Sequence, residues 1–211
     1  MARVGILGGS FNPPHNGHVQ LASTAADRLE LDRVVLVPAG VAPHKTIESD
    51  PGSDVRFELC GIAAERLDRI EASDIEVGRP GPSWTVETLR AMKSADPEGE
   101  LVLLLGQDMA MSLKSWREPE AIVKLAQVAW VARGAQTEAE LKQVEQQISS
   151  EVRELGGDEP VCLAMPHVDV SSTQIRERVA AGDPITDLVP AGVEWVIAER
   201  GLYRAGGANE N

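Results

Sequence analysis

Residues 4–22 read VGILGGSFNPPHNGHVQLA, and the character of the sequence changes twice within this stretch. The apolar run Val4–Leu7 gives way to glycines, a pair of prolines and two histidines, after which apolar residues return at helical spacing. This order is typical of a buried strand, a tight turn and a helix that follows the turn directly. The predicted turn spans residues 8–18.

Strand-like and helix-like segments alternate along the chain. Short runs rich in Val, Ile and Leu predict strands buried on both faces, as in a parallel sheet: Arg3–Leu7, Arg33–Val37, Leu101–Leu105, Gln127–Ala132 and Val161–Met165. Amphipathic or charged patterns predict helices at His18–Leu29, Asp54–Leu67, Glu138–Leu155, Ser172–Ala181 and Val193–Arg200. The predicted fold is therefore α/β, a doubly wound, Rossmann-like parallel sheet with a short C-terminal helical segment. For 211 residues we expect a single domain, 1–204, and a flexible tail, 205–211.

Composition and charge argue against several classes of function. With 33 acidic and 20 basic residues and a net charge of −13, the surface repels polyanions, so we expect neither nucleic acid nor a membrane as a partner. A small phosphate ligand remains compatible, because backbone amides can bind it locally. No apolar run reaches the roughly 18 residues of a membrane span and MARVGILGG lacks a signal core, so we expect a cytoplasmic protein. Cys60 and Cys162 are far apart, which predicts two buried thiols and no disulfide framework or zinc ribbon.

The turn after the first strand is the predicted phosphate site. In doubly wound sheets, ligands bind beyond the carboxyl ends of the strands, and the first strand-to-helix turn commonly holds phosphate. With a helix that begins near Asn16, His15 and His18 face the region above its N-terminus, where the helix dipole also attracts an anion. The alternative is a plain Gly/Pro turn with histidines as caps or core residues. No Walker A or G-x-G-x-x-G spacing occurs, and the turn offers no acidic third ligand, so we predict no metal site.

These residues carry a resemblance to a known family. GGSFNPPHNGH (8–18) resembles the G-x-F-x-P-x-H-x-G-H signature of the nucleotidylyltransferase superfamily, in the form most similar to the bacterial nicotinate-nucleotide adenylyltransferases. Further segments that resemble this family follow in the same order along the chain: PAGVAPHK (38–45), RPGPSWTVETL (79–89), LLLGQDMAMSLKSW (103–116), VDVSSTQIRERV (168–179) and LVPAGVEWVIAERGLY (188–203). The first and the SSTQIR motifs are the specific ones, and the others support them.

The resemblance implies that ATP and nicotinate mononucleotide form nicotinate adenine dinucleotide and pyrophosphate, with Mg²⁺ bound mainly through the ATP phosphates. The mononucleotide phosphate is already a competent nucleophile, so in-line attack needs no general base, and catalysis depends on alignment and charge stabilisation. The implied catalytic residues are His15, His18, Lys45 and Arg176. ATP is expected to bind at Gly8, Gly9, Ser10, Phe11, Gly106, Asp108, Ser172 and Thr173. The mononucleotide is expected to bind at Asn12, Lys45, Ser83, Trp84, Thr85 and Trp116. The partners are these small molecules, and the sequence leaves the oligomeric state open.

Several of these residues also have a plain structural interpretation. Arg176 is either a phosphate ligand or an exposed arginine behind an ordinary helix cap, and Lys45 is either a phosphate clamp or a solvated loop residue. Asp108 suits a ribose contact or an N-cap, and Trp116 suits a base stack or the core. Arg56 is left open between a surface charge and a phosphate contact. Two further tryptophans, Trp130 and Trp195, lie in strand and helix patterns and are predicted to be core. Gln107 replaces the small residue that the family commonly has there.

Two other functions remain as alternatives. Pantetheine-phosphate adenylyltransferases and cytidylyltransferases resemble this chain in the His-x-x-His loop but lack the GPSWT and SSTQIR context. A noncatalytic nucleotide sensor on the same fold is expected to have lost His15, His18 or Arg176, and all three are present.

Overall fold

The computed structural model describes residues 1–42, 49–132, 137–166 and 168–204. Within these ranges, six parallel strands form one sheet with the spatial order β3-β2-β1-β4-β5-β6. The strands are β1 Arg3–Gly9, β2 Arg33–Pro38, β3 Ile70–Ala72, β4 Glu100–Gly106, β5 Gln127–Val131 and β6 Val161–Leu163. The helices are α1 Asn16–Arg28, α2 Ser53–Ala64, α3 Thr85–Ala95, α4 Gln107–Met111, α5 Pro119–Leu125, α6 Glu138–Glu154, α7 Ser172–Ala181 and α8 Ala191–Glu199. The predicted doubly wound α/β fold is confirmed.

Strands β1 and β4 lie at the centre because both of their faces are apolar. Successive side chains of a strand point to opposite faces, so Leu103 packs into one hydrophobic cluster and Leu104 into the other. Helices on both sides cover these two clusters, which is why the strand sequences are continuously apolar instead of alternating.

The order of the strands places the candidate site. From β1 the chain winds outward through β2 and β3, then returns to β4, which pairs with β1 on its other side. This reversal creates a crevice at the carboxyl ends of β1 and β4, the position where open α/β sheets bind ligands. The turn after β1 and the residues after β4 therefore lie at the same edge of the sheet.

Element ends differ from the sequence predictions in ways that the packing explains. Strand β1 extends to Gly9, two residues beyond the predicted end, because its pairing with β2 continues to Pro38. The predicted strand Val161–Met165 ends at Leu163, since β6 is an edge strand that pairs with only three residues of β5.

The short strand β3 and helices α3, α4 and α5 were not predicted. None of these four elements has more than eleven residues, and β3 has three.

Two predictions of burial were wrong. Trp195 is 65% exposed, whereas Trp130 is buried as predicted. Helix α8 buries Val193, Val196 and Ile197, a spacing that points Trp195 away from the core. Cys162 is only half-buried because it lies on the edge strand β6, while Cys60 on α2 is buried. Nowhere in the described ranges is there a helix long and apolar enough to cross a membrane.

The two tryptophans provide a matched test of this packing. We expect Trp130→Ala to lower the free energy of unfolding by about 3–5 kcal/mol, because it leaves a cavity in the core. Trp195→Ala changes an exposed helix position and should stay within about 0.5 kcal/mol of the unmodified protein. Urea titration followed by circular dichroism measures both values. Equal losses in the two variants would contradict the orientation of α8.

Candidate active site at the carboxyl ends of the strands

The turn after β1 is a compact loop, and helix α1 begins directly after it. Gly8 and Gly9 end the strand, and α1 begins at Asn16, two residues before the start of the predicted helix His18–Leu29. Phe11 has a φ of +46° and is buried, with its ring centroid 4.7 Å from that of His18. A Cβ added at Gly8 would meet no atom within 4 Å, so the backbone here is open to a ligand.

The two histidines of the loop stack on each other. Their ring centroids are 3.7 Å apart at an interplanar angle of 25°. The backbone N–H of His15 donates to Nδ1 of His18 at 3.2 Å, so a neutral His18 ring carries its proton on Nε2. Burial lowers the pKa of His15 to about 4 and also holds the pKa of His18 well below 6.5. Both rings are therefore neutral at pH 7 and offer hydrogen-bonding groups instead of positive charge.

Helix α7 docks on this loop from a distant part of the sequence. The hydroxyl of Ser172 donates to the carbonyl oxygen of Pro13 at 2.8 Å, and Nη1 of Arg176 donates to that of Asn12 at 3.0 Å. Ser171 caps the helix, and its hydroxyl oxygen accepts from the amide of Gln174 at 3.1 Å. The N-termini of α1 and α7 thus lie against the same loop. The expectation that the two specific motifs form one site is consistent with this arrangement.

The C-terminal segment braces the loop from another side. The Tyr203 hydroxyl donates to Oδ1 of Asn12 at 2.9 Å, and Asn12 is 1% exposed. Burial raises the pKa of Tyr203, so the phenol keeps the proton that it donates. Asn16 contacts the same part of the chain: its backbone N–H donates to Leu188 and its side-chain amide to Asp187, both at 2.9 Å. Sequence analysis missed Tyr203, because no local pattern links residues so far apart.

A second group of predicted residues lies where β2 ends and α3 begins. The hydroxyl oxygen of Ser83 accepts from the amide of Gly40 at 2.9 Å, and the amide of Ser83 donates to the carbonyl of Val41 at 2.8 Å. Ser83 is thereby tied to the loop after β2. Thr85, the first residue of α3, is half-exposed beside it.

The two predicted aromatic residues, Trp84 and Trp116, are both partly buried against the same core cluster. The Arg117 guanidinium lies 5.1 Å from the ring centroid of Trp84, which precedes α3. Trp116 is half-buried, and its indole N–H donates to the hydroxyl of Ser112 at 3.3 Å. Both indoles pack partly against the core cluster below them, so each is an anchored ring with part of its surface accessible.

The residues after β4 complete this edge of the sheet. Gly106 ends the strand and Asp108 is exposed in the first turn of α4. Lys45 and His44 lie outside the described residues, as does the tail 205–211. Across the described ranges, no three His, Cys, Asp or Glu side chains group in a way that could hold a metal ion.

Arg56, which the sequence left open, is neither a surface charge nor a residue of the open crevice. Its side chain is wholly buried, and it donates to the carbonyl oxygen of Ser10 at 2.8 Å. The loop after β1 is therefore held at Ser10, Asn12 and Pro13 by three side chains from α2 and α7.

This chain is similar to known proteins over almost its whole length. Residues 6–178 match the cytidylyltransferase-like family. The chain is 34% identical to a probable nicotinate-nucleotide adenylyltransferase of Clostridium tetani, over 97% of this chain and 100% of that protein. A protein of the same description from Tropheryma whipplei is 36% identical over 94% of this chain and 98% of its own length.

Solved structures share the fold. A Plasmodium falciparum nicotinic acid mononucleotide adenylyltransferase complexed with NaAD matches with a TM-score of 0.76 and 17% identity, covering 96% of this chain and 98% of that one. The full-length similarity to the curated relatives and the family match over most of the chain lead to one conclusion. This chain belongs to the cytidylyltransferase-like family and, within it, to the nicotinate-nucleotide adenylyltransferases.

Proposed function

We propose that this protein transfers the adenylyl group of ATP to nicotinate mononucleotide, giving nicotinate adenine dinucleotide and pyrophosphate in NAD biosynthesis. The observation that carries the proposal is the docking of α7 on the loop after β1, through Ser172 to Pro13 and Arg176 to Asn12. This contact brings two helix N-termini and a guanidinium to one loop, in a protein whose curated relatives are named for this reaction.

The chemistry requires alignment more than proton transfer. An oxygen of the mononucleotide phosphate forms a bond to the α-phosphorus of ATP, the bond from that phosphorus to the bridging oxygen breaks, and the electron pair leaves with pyrophosphate. The nucleophile is already an anion at neutral pH, so no general base is needed. Effective molarities for well-aligned groups reach about 10⁵–10⁸ M, enough to supply much of the barrier reduction.

At the ATP end, the proposed ligands are mostly neutral donors. Backbone amides of the loop from Gly8 to Phe11 and of the first turn of α7, at Ser172 and Thr173, face the phosphates. His18 donates from Nε2, the nitrogen left protonated by its contact with His15. Arg176 uses two of its N–H groups on Asn12 and Thr173, and a guanidinium has five, so further donors remain for the leaving pyrophosphate. The ribose contacts proposed for Gly106 and Asp108 follow from their place at the end of β4.

At the mononucleotide end, the proposed donors lie at the start of α3. The amide of Ser83 donates to the carbonyl of Val41 and its hydroxyl oxygen accepts from Gly40, which leaves the Ser83 O–H as a donor. This O–H, the Thr85 hydroxyl and the first-turn amides of α3 are the proposed ligands for the nicotinate carboxylate. Trp116 provides the stacking surface, with Trp84 beside it. Asn12 and Lys45 are proposed for the mononucleotide phosphate.

Magnesium is proposed to arrive with ATP. The described residues bring no cluster of carboxylates to the site, which suits an ion bound through phosphate oxygens and water. When bound, Mg²⁺ neutralises charge on the departing pyrophosphate. We also propose a cytoplasmic location and a single domain spanning 1–204.

The first test is substrate choice. The protein is incubated with ATP, Mg²⁺ and either nicotinate or nicotinamide mononucleotide, and dinucleotide and pyrophosphate are measured. We expect nicotinate mononucleotide to be preferred by kcat/KM by a factor above about 10 and below about 10⁴, because a pocket of donors leaves the amide NH₂ unpaired. Thr85→Ala should reduce this ratio, whereas Ser94→Ala, at the far end of α3, should not. A ratio of one or less would contradict the pocket, and no product with either substrate would contradict the function.

Arg176 gives a second test. Arg176→Ala should raise the KM for ATP and weaken pyrophosphate inhibition together, with a smaller effect on the mononucleotide, because the guanidinium binds the group that leaves. Lysine should restore only part of the loss, since a point charge lacks the fork of donors. Arg178→Ala, two residues further on the same helix and exposed, is the control. Normal ATP kinetics in the Arg176 variant would assign it to holding the loop alone.

The neutral histidines give a third test. NMR titration of the ligand-free protein should place the pKa of His15 near 4, and His15→Gln assigns its signal. Between pH 6.5 and about 4 only the unfolded chain binds this proton, so the free energy of unfolding should fall as the pH is lowered through that range. A pKa at or above 6.5 would show that His15 carries charge near neutral pH.

A further inference from the structure

Arg56 connects the two loops that carry the proposed substrate sites. It lies in the first turns of α2, and its side chain is 0% exposed. Nη1 donates to the carbonyl oxygen of Ser10 at 2.8 Å, and Nη2 donates to that of Gly40 at 3.3 Å. Ser10 follows β1 and Gly40 follows β2, so one planar group spans both loops.

The contact chain continues from Gly40 to the other proposed substrate pocket. The amide of Gly40 donates to the hydroxyl of Ser83, which immediately precedes Trp84 and Thr85. Gly40 is packed closely against the backbone of Glu76, because a Cβ added there would lie 2.3 Å from that residue's carbonyl oxygen. The loop after β1 and the proposed mononucleotide pocket are thus connected through the guanidinium of Arg56 and the closely packed Gly40.

Charge balance accounts for only one of the contacts of Arg56. Nε donates to Oδ1 of Asp50 at 2.9 Å, and the same oxygen accepts from the amide of Gly52 at 3.0 Å. This carboxylate compensates the buried positive charge, which would otherwise be costly. The other two donors go to neutral carbonyls. A lysine could satisfy Asp50, but an ammonium on a flexible stem cannot hold two carbonyls at a fixed separation.

We propose that Arg56 is a positioning residue that fixes the separation between the loop after β1 and the loop after β2, and through it the alignment of the mononucleotide phosphate with the α-phosphorus of ATP. The inference rests on the proposed function. Misplacement of reacting groups by about 1 Å can cost on the order of 10²-fold in rate, although each substrate still finds its own loop. Loss of Arg56 should therefore lower kcat far more than it weakens the binding of either substrate alone.

The experiment compares Arg56→Lys with two controls. Leu59→Ala removes a buried core side chain from the same helix, and Arg200→Gln breaks an exposed ion pair with Glu58 on that helix. We expect kcat to fall about 30- to 100-fold in Arg56→Lys, with the Kd of a nonhydrolysable ATP analogue, measured without the second substrate, within threefold of the unmodified protein. Both controls should keep kcat within threefold, even where Leu59→Ala lowers the denaturation midpoint more. If the lysine variant is insoluble, Arg56→Gln, which buries no ammonium, takes its place with the same expected result.

Hydrogen exchange provides a readout that does not need activity. The amide of Ala39 donates to the carbonyl of Gly9 at 2.9 Å and so reports the separation of the two loops. Its exchange, relative to that of Leu103 in the central strand β4, should accelerate in the Arg56 variant and not in Leu59→Ala.

Three outcomes would overturn the inference: kcat within threefold in a folded Arg56 variant, an equal fall of kcat in Leu59→Ala, or an unchanged exchange ratio at Ala39. An unmodified protein that makes no dinucleotide would refute the proposed function instead, and the exchange ratio would still decide whether Arg56 holds the loops.

Discussion

A loop that binds an anion through its backbone amides must find donors for the carbonyl groups that it turns the other way. In this protein the carbonyls of Ser10, Asn12 and Pro13 each accept a hydrogen bond from a side chain of another element. Buried backbone carbonyls without partners are costly, so these three contacts are a condition for the loop to exist in this form. Arg56, Arg176 and Ser172 satisfy that condition, and the amide face of the loop is left for a ligand.

Local donors, held in place by these contacts, explain how a strongly acidic protein can provide a site for two anionic substrates. The net charge of −13 repels ATP and the mononucleotide at long range, and the loop histidines are neutral at pH 7. Attraction therefore has to be local. In the proposed site it comes from the N-termini of α1 and α7 and from the guanidinium of Arg176, while the charge of Arg56 is largely balanced by Asp50. Such a site binds by directed hydrogen bonds and depends strongly on geometry.

The sequence predicted the sheet well because its signals are local. Continuous apolar runs mark the central strands, and the Gly-Gly and Pro-Pro pairs mark the turn after β1. The sequence did not reveal which polar residues hold that turn. The contact of Arg56 with Ser10 joins residues 46 positions apart, and that of Tyr203 with Asn12 joins residues 191 apart, so both depend on the assembled fold. The prediction that Trp195 is buried was wrong for a related reason. The short helix α8 has apolar residues on more than one face, and only packing decides which face is buried.

These long separations mean that the site is completed by the last part of the chain. Ser172, Leu188 and Tyr203 each contact the segment 12–16, and all three lie after the final strand of the sheet. A chain that ended after β6 would retain every strand of the sheet, but the carbonyls of Asn12 and Pro13 would lose their side-chain donors. The sheet supplies the crevice at the carboxyl ends of β1 and β4. Helix α7 adds the side-chain donors that hold this loop at Asn12 and Pro13, so the strands alone do not complete the arrangement around it.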